Sequence, residues 1–309
     1  MRLSPQVSGW RASLWRASRL GGRQGTVASR LSEFGHSTFE SLRWQRAVHA
    51  ARRWSVWGML TGALLGLLAF APAAWLADWV ESSSNGQLLL ADARGSLWGG
   101  SAVVVLTGGA DSRSARSLPG RLHWTVRPST TALKLRLEHA CCLNGQPTLR
   151  IEPGIASTRV TLEGTPGWVG QWPAEWLAGL GTPWNTLQLG GTLRLSASGL
   201  TVGIAQGRWQ LGGQASLDML DIDSRVAPLP RLGSYRLQFT PVAGNPGTAQ
   251  VDLSTADGAL QLSGQGTLGP NGVRFLGEAS AAEADRQALS NLLNIIGRRD
   301  GARSVIVIG

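Results

Sequence analysis

The sequence predicts a mainly β protein: a single N-terminal transmembrane helix, followed by a curved antiparallel β-sheet or sandwich with a few short helices. Three observations predict this class. Residues 54–77 carry no charge, residues 78–309 alternate apolar and polar side chains in many short runs, and turn residues separate those runs. The 41 glycines among 309 residues exceed the usual frequency of about 7%, which is consistent with many turns and bends.

The positive charge is concentrated in a basic head, residues 1–53. The head has ten arginines against Glu33 and Glu40, whereas residues 78–309 have a net charge of only +2. We interpret the head as a disordered cytoplasmic tail beside anionic lipid headgroups, or as the result of a start codon assigned too far upstream. No nucleic-acid-binding motif accompanies the charge, so a nucleic-acid partner is not predicted.

Residues 54–77 are predicted to be a transmembrane signal anchor. These 24 residues would rise about 36 Å as a helix, and a bilayer core is about 30 Å thick. Two arginines precede the segment and Asp78 follows it, which places the N-terminus in the cytoplasm by the positive-inside rule. The alternative is a cleaved leader, because residues 69–71 and 71–73 both have a small-x-small pattern. The head and the apolar run are longer than those of a signal peptide, which favours the anchor.

Three glycines within this segment share one face of the predicted helix. Gly58, Gly62 and Gly66 recur every four residues, and small residues at this spacing let a second helix approach closely. The pattern predicts a helix–helix contact, either in a homodimer or with another membrane protein. The alternative is that glycine is simply frequent in membrane spans and in this chain.

Residues 78–309 are predicted to form an antiparallel meander of short strands. Apolar residues occupy every second position, so each strand has one apolar and one polar face, and we expect the apolar faces to line the inside of the sheet. The clearest runs are residues 121–126, 132–137, 159–162, 192–197, 234–239 and 259–262. The predicted turns include Asn144-Gly145, Pro166-Gly167, Gly190-Gly191, Gly212-Gly213 and Pro270-Asn271-Gly272.

A tryptophan-rich segment interrupts the strand pattern. Residues 173–180 are predicted to be a short helix with proline at its first position. Trp168, Trp172 and Trp176 recur every four residues around it. We interpret these tryptophans as a plug that closes one end of the sheet, or as a contact for a partner protein or the bilayer surface.

A second predicted helix covers residues 281–296, where four apolar residues fall at helical spacing and Gly297 follows as a terminator. The chain then turns into a last strand, residues 304–308. This strand is apolar on both sides, so we expect both of its faces to be covered.

Cys141 and Cys142 are the only cysteines. Neighbouring Cα atoms are about 3.8 Å apart, below the lower limit of about 4.4 Å for relaxed disulfides. A strained vicinal disulfide, two separate thiols and an intermolecular bridge therefore all stay open. His139 lies nearby, but no second group of ligands accompanies it, so a metal site is not predicted.

No catalytic or cofactor-binding motif is found in the sequence. Residues 264–269 have the spacing of a dinucleotide fingerprint, but Pro270 follows where a helix would have to begin. We interpret these residues as turn glycines. Walker, HExxH and GxSxG motifs do not occur, and the four histidines offer little for acid–base chemistry. We therefore predict a protein that is not an enzyme and has no cofactor.

Two stretches resemble a known family. Residues 95–102 read Gly-Ser-Leu-Trp-Gly-Gly-Ser-Ala, and residues 289–303 read Leu-Ser-Asn-Leu-Leu-Asn-Ile-Ile-Gly-Arg-Arg-Asp-Gly-Ala-Arg. Together with one span and a β-rich body, they resemble the type II secretion system protein N family over about residues 54–309. The head of 53 residues is longer than this family's.

The resemblance implies an accessory inner-membrane component of the type II secretion system of a Gram-negative bacterium, with a cytoplasmic N-terminus and a periplasmic C-terminal domain. Such a protein would support export of folded proteins across the outer membrane through contacts with platform or pseudopilus proteins. We expect the sheet edges and the tryptophan-rich segment to make these contacts. The body is also similar to AsmA-like envelope proteins, so the alternative is a protein that holds or moves lipid in an apolar groove. A thiol-redox role through Cys141 and Cys142 is a third hypothesis.

Overall fold

The computed structural model describes residues 54–109, 112–164, 167–205, 208–270 and 272–309. Two compact units divide the chain, Met1–Leu65 and Gly66–Gly309. The strands of the second unit form one antiparallel sheet, which confirms the mainly β class and selects a single sheet over a sandwich. The predicted basic head, residues 1–53, lies outside the described residues.

The described residues contain short helices and sixteen strands. The helices are α1 (residues 54–69), α2 (Ala73–Ser83), α3 (Trp184–Leu187) and α4 (Ser290–Ile296), with 3₁₀ helices at Ala174–Leu180 and Glu283–Asp285. The first eight strands are β1 (Leu88–Gly95), β2 (Gly99–Thr107), β3 (Ala115–Ser117), β4 (Leu122–Pro128), β5 (Leu133–His139), β6 (Thr148–Pro153), β7 (Ser157–Glu163) and β8 (Trp168–Pro173). The others are β9 (Leu189–Ala205), β10 (Arg208–Ser224), β11 (Gly233–Val242), β12 (Asn245–Gly258), β13 (Leu260–Gly269), β14 (Gly272–Ala281), β15 (Arg298–Asp300) and β16 (Arg303–Ile308).

The apolar segment predicted as one helix over residues 54–77 is two helices, α1 and α2, separated by three residues. Pro72 lies between them, where it lacks a backbone N–H and would clash with the preceding turn of a continuous helix. The backbone there bonds to the turn between β1 and β2 instead: the Ala71 carbonyl accepts a hydrogen bond from Leu97 N at 2.9 Å, and Pro72 forms a β-bridge with Ser96. Within the described part of the chain, no helix combines the length and hydropathy of a membrane span.

The strands follow one another through the sheet in nearly the order of the chain, with two branch points. One side of β2 pairs with β1, and its other side pairs with β3 and β4. One side of β9 pairs with β10, and its other side pairs with β8 over residues 192–196 and with β7 over residues 201–205. The predicted meander is therefore confirmed, and the two halves of the sheet join along β9.

The cross-strand register aligns the apolar faces of neighbouring strands into one surface. The directly opposite pairs include Trp124–Leu137, Leu135–Leu149, Leu149–Leu162, Leu195–Leu217, Leu217–Leu237 and Leu237–Leu253. A slip of one residue in any pair would turn that strand's apolar side chains to the opposite face. The apolar pattern of each strand thus specifies the register of the whole sheet.

Two helices cover parts of this apolar surface. Leu289, Leu292 and Leu293, in and just before α4, are fully buried and pack in a cluster with Tyr235 and Leu260. The hydroxyl of Tyr235 donates a hydrogen bond to the Leu260 carbonyl at 3.1 Å within this cluster. At the other end of the sheet, α2 contributes to a smaller cluster with buried members Ala73, Ala102 and Trp124.

The helix predicted over residues 281–296 is shorter than expected. Only Glu283–Asp285 and α4 are helical, and residues 286–289 form turns between them. Packing of the leucines against the sheet, rather than a long hydrogen-bonded helix, positions this segment.

Two glycine pairs that were predicted as turns lie inside strands. Gly190-Gly191 belongs to β9 and Gly212-Gly213 to β10, where the register shifts between Gly212 and Gln214. Gly213 has a φ of +77°, and a Cβ there would overlap the carbonyl oxygen of Gly199 on the neighbouring strand. The register also shifts between Leu220 and Asp223, opposite Gly190-Gly191, so both glycine pairs lie at β-bulges between β9 and β10, which bend a strand without ending it.

The predicted turn glycines of residues 264–269 also lie within a strand, β13. Gly264 and Gly266 stand opposite Gly277 and Phe275 of β14. A Cβ on Gly264 would overlap the Phe275 ring. The glycines thus make room for an aromatic ring that lies flat across the sheet, as aromatic residues often do over strand glycines.

Candidate functional site: the free sheet edge and the tryptophan-closed end

Strand β16 leaves one backbone edge of the sheet free. It pairs with β14 over residues 303–308, whereas the three-residue strand β15 covers only residues 303–305 on its other side. Among the described strands, none pairs with the outer edge of residues 306–308. A free strand edge presents unpaired N–H and C=O groups to which another extended chain can bind.

Exposed apolar side chains lie on β16 and on its neighbour β14, and we call them the edge patch: Leu276 and Val307 on one face of the sheet, Val273 and Ile308 on the other. Leu276 and Val307 lie directly opposite each other and are 62% and 68% exposed. The expectation that both faces of β16 are covered is therefore wrong. Helix α4 packs on one side only, where Ser304 Oγ donates a hydrogen bond to the Leu293 carbonyl at 2.7 Å.

The three tryptophans of the predicted plug are half-buried. Trp172 packs against the α4 cluster and also against a third cluster whose buried members are Val104, Leu118 and Cys142. Trp176 packs against the third cluster, and its Nε1 donates a hydrogen bond to the Arg116 carbonyl at 3.0 Å. These contacts favour closure of the sheet's end, and a contact of Trp168, Trp172 and Trp176 with a partner or membrane stays a prediction.

The cysteine pair lies in a turn that follows β5. Cys141 and Cys142 are bonded to each other; Cys142 is buried and Cys141 is exposed. His139 is only 3% exposed, and its Nδ1 lies 3.3 Å from Cys141 Sγ. Burial, and to a lesser extent the neighbouring His123, lowers the pKa of His139 below its ordinary value, so the imidazole is neutral at pH 7.

Strand β8, which carries Trp168 and Trp172, holds this turn in place. Gln171 N donates a hydrogen bond to the Cys142 carbonyl, and Asn144 N donates one to the Val169 carbonyl, both at 2.9 Å. A Cβ on Gly170 would lie 2.8 Å from that Cys142 oxygen, so only glycine lets the two backbones come this close. The structure therefore brings the cysteine turn and the tryptophan-rich segment together, although strands β6 and β7 separate them along the chain.

The glycine face of α1 is open. A Cβ added to Gly58, Gly62 or Gly66 would meet no described atom within 4 Å. The apolar side chains of α1 are exposed as well, among them Trp57, Met59 and Leu64. A helix–helix contact along this face stays a prediction.

Comparison with known proteins gives one finding. The family model for protein N of the type II secretion system matches residues 86–307, a range that begins just before β1 and ends within β16. No curated protein and no solved structure matches the chain.

Proposed function

Because the chain belongs to the type II secretion system protein N family, and is thus a type II secretion component, we propose that it is an accessory protein of the inner membrane. In this role it supports export of folded proteins across the outer membrane by contacts with platform or pseudopilus proteins. The family is one of secretion components rather than of known enzymes, and the proposed role requires no catalysis. The main observation that supports a contact with another secretion protein is the edge patch.

The edge patch is suited to bind an extended segment of a partner by strand addition. Residues 306–308 offer backbone groups along their free edge, and such groups supply most of the affinity in this binding mode. Val307 on the edge strand, backed by Leu276 opposite it on β14, offers an exposed apolar contact to a side chain of the added strand. The partner segment we expect is therefore extended and apolar at alternate positions.

Val307→Lys tests this contact. A lysine on the outer face of β16 would place a charge where the partner's apolar side chains pack, so capture of other secretion proteins from membrane extracts, quantified by mass spectrometry, should fall at least tenfold. That loss corresponds to about 1.4 kcal/mol or more. Ile155→Lys is the matched control, because Ile155 is fully exposed in the turn between β6 and β7, away from the edge. Equal capture by the two variants would overturn the proposed contact.

We further propose that α1, within residues 54–77, is an uncleaved anchor in the inner membrane, with the N-terminus cytoplasmic and residues 78–309 periplasmic. The exposed apolar surface of α1 supports this proposal. Ala71 and Ala73 support it too, because both are buried in the folded domain although they lie in the candidate cleavage sites. The open glycine face of α1 would then be available for a homodimer or for another membrane protein.

A reporter fused after Gly309, together with an immunoblot of the membrane fraction, tests the anchor. We expect a reporter that is active in the periplasm, on a membrane-bound product that still contains α1. A soluble product that begins near Ala73 would contradict the anchor and support the cleaved leader.

A second candidate function, the holding of lipid by the sheet, is favoured by one observation. Leu149, Ile151, Val160 and Leu162 share the apolar face but are only half-buried and belong to none of the three core clusters. An apolar surface of this kind could contact an acyl chain, as the similarity to AsmA-like proteins implies. A bound lipid in native mass spectrometry that is lost in Leu149→Glu would favour this function over the structural one.

A further inference from the structure

The turn after β5 gathers three potential metal ligands. The donor atoms of His139, Cys141 and Cys142 all lie within 4.8 Å of one another. Once the cysteines are reduced, the ligand set consists of two thiolate sulfurs, which are soft ligands, and one imidazole nitrogen. Such sets select thiophilic cations over hard ions such as Mg²⁺ or Ca²⁺.

The imidazole of His139 is not committed to another partner. Its Nδ1 faces Cys141 Sγ, and its Nε2 is buried with no hydrogen-bond partner among the described residues. A buried polar atom left unpaired costs about 1–3 kcal/mol, and native proteins contain few of them. The ring thus has two available nitrogens: Nε2, which is unpaired, and Nδ1, which lies 3.3 Å from Cys141 Sγ.

The backbone around the three residues is already organised. The His139 carbonyl accepts hydrogen bonds from Cys142 N and Leu143 N, both at 3.3 Å, which closes the turn. The bond from Gln171 to the Cys142 carbonyl fixes the turn to β8. A cation would therefore bind to a largely preformed site, which lowers the entropic cost of binding.

We propose that the reduced form of this cluster binds one monovalent copper ion, Cu⁺, through a ring nitrogen of His139 and the thiolates of Cys141 and Cys142. Soft thiolates select Cu⁺, and three protein ligands fall short of the four that close a structural zinc site. The proposal does not depend on the secretion role.

Loading requires reduction of the disulfide by a dithiol. One thiolate of the dithiol attacks the exposed Cys141 Sγ, which breaks the bond to Cys142 and releases Cys142 as a thiolate. The second thiol of the reductant then displaces Cys141, so that the dithiol ends as a disulfide and the protein gains two electrons and two protons. Binding of Cu⁺ displaces the two thiol protons and leaves the oxidation state of copper unchanged.

The test is anaerobic titration of the reduced, full-length chain with Cu⁺ in competition with a coloured Cu⁺ chelator. We expect one Cu⁺ per reduced chain and none bound by the oxidised chain or by the double variant Cys141→Ser/Cys142→Ser. His139→Ala should weaken binding at least tenfold. His123→Ala is the matched control and should bind as the wild type does, because His123 is exposed on the neighbouring strand β4.

Two results would overturn the proposal: no binding by the reduced wild type, or equal affinity of His139→Ala and His123→Ala. Since His139 is buried, its variant could misfold, and X-ray absorption of the copper-loaded wild type gives a test without substitution. A shell of two sulfurs and one nitrogen supports the site, and a shell of sulfur alone contradicts it.

Discussion

Replacement of Leu293 by alanine is expected to lower the free energy of unfolding by about 3–5 kcal/mol. Leu293 is fully buried in the largest core cluster, where α4 covers the apolar face of the sheet. Truncation removes the side chain's burial and leaves a cavity that the surrounding strands cannot easily fill. Urea unfolding of the full-length chain measures the loss.

Ile295→Ala is the control for this prediction, because Ile295 lies on the same helix but is 41% exposed. It should cost only about 1 kcal/mol, since 41% of its surface is already in water and it lies outside the core cluster. Similar losses for both variants would contradict the assignment of α4 as the cover of the core.

The packing of α4 against the sheet also supports β16, the strand proposed to bind a partner protein. Ser304 of β16 is buried and bonds to the Leu293 carbonyl, so α4 holds the strand that carries the free edge. Loosening of α4 in Leu293→Ala should therefore also weaken capture of partner proteins, at temperatures where the rest of the sheet stays folded.

Gly264→Val is expected to lower the free energy of unfolding by at least about 3 kcal/mol, at the upper end of the usual cost of overpacking. A Cβ on Gly264 would overlap the Phe275 ring and would lie 2.7 Å from Gly277 Cα and 2.9 Å from the Leu276 carbonyl oxygen. The ring can move, but the backbone of β14 can do so only by breaking its pairing with β13.

Ser263→Val is the matched control, because Ser263 is exposed on the opposite face of the same strand. It should be nearly neutral, and equal stability of the two valine variants would refute the role of the glycines. The double variant Gly264→Val/Phe275→Ala should not recover the stability of Phe275→Ala alone, since the two backbone contacts remain.

Strands could be predicted from the sequence because their signal is local. Residues 133–137 and 234–239 alternate strictly, and they lie in β5 and β11. Side chains of a strand alternate between the two faces whatever its neighbours are, so one segment is enough to identify it. The apolar face and the antiparallel class followed from the same pattern.

The glycine motifs could not be assigned because contacts across strands determine their role. Gly212-Gly213 has the composition of a turn, but its position opposite Gly199 makes it a bulge. Gly264 and Gly266 likewise depend on Phe275, about ten residues further along the chain. No local property of either motif distinguishes a turn from a strand interior.

Only part of the candidate site could be predicted from the sequence. The resemblance to the secretion family came from residues 95–102 and 289–303, which lie within the range that the family model matches. Sheet edges were predicted as contact surfaces, but this particular edge was not identified, because the apolar run at the end of the chain indicates a buried strand. Its exposure follows from the sheet order and from the short length of β15, neither of which is a property of that run.

The most direct test of the central claim is site-specific photo-cross-linking in secreting cells, with a photoreactive amino acid at position 307 and, as the control, at position 155. We expect an adduct from position 307 that mass spectrometry identifies as another type II secretion protein. This adduct should be absent when that protein's gene is deleted, and absent from position 155. Adducts with lipid alone, or the same adducts from both positions, would contradict a secretion component that works through the free edge of β16.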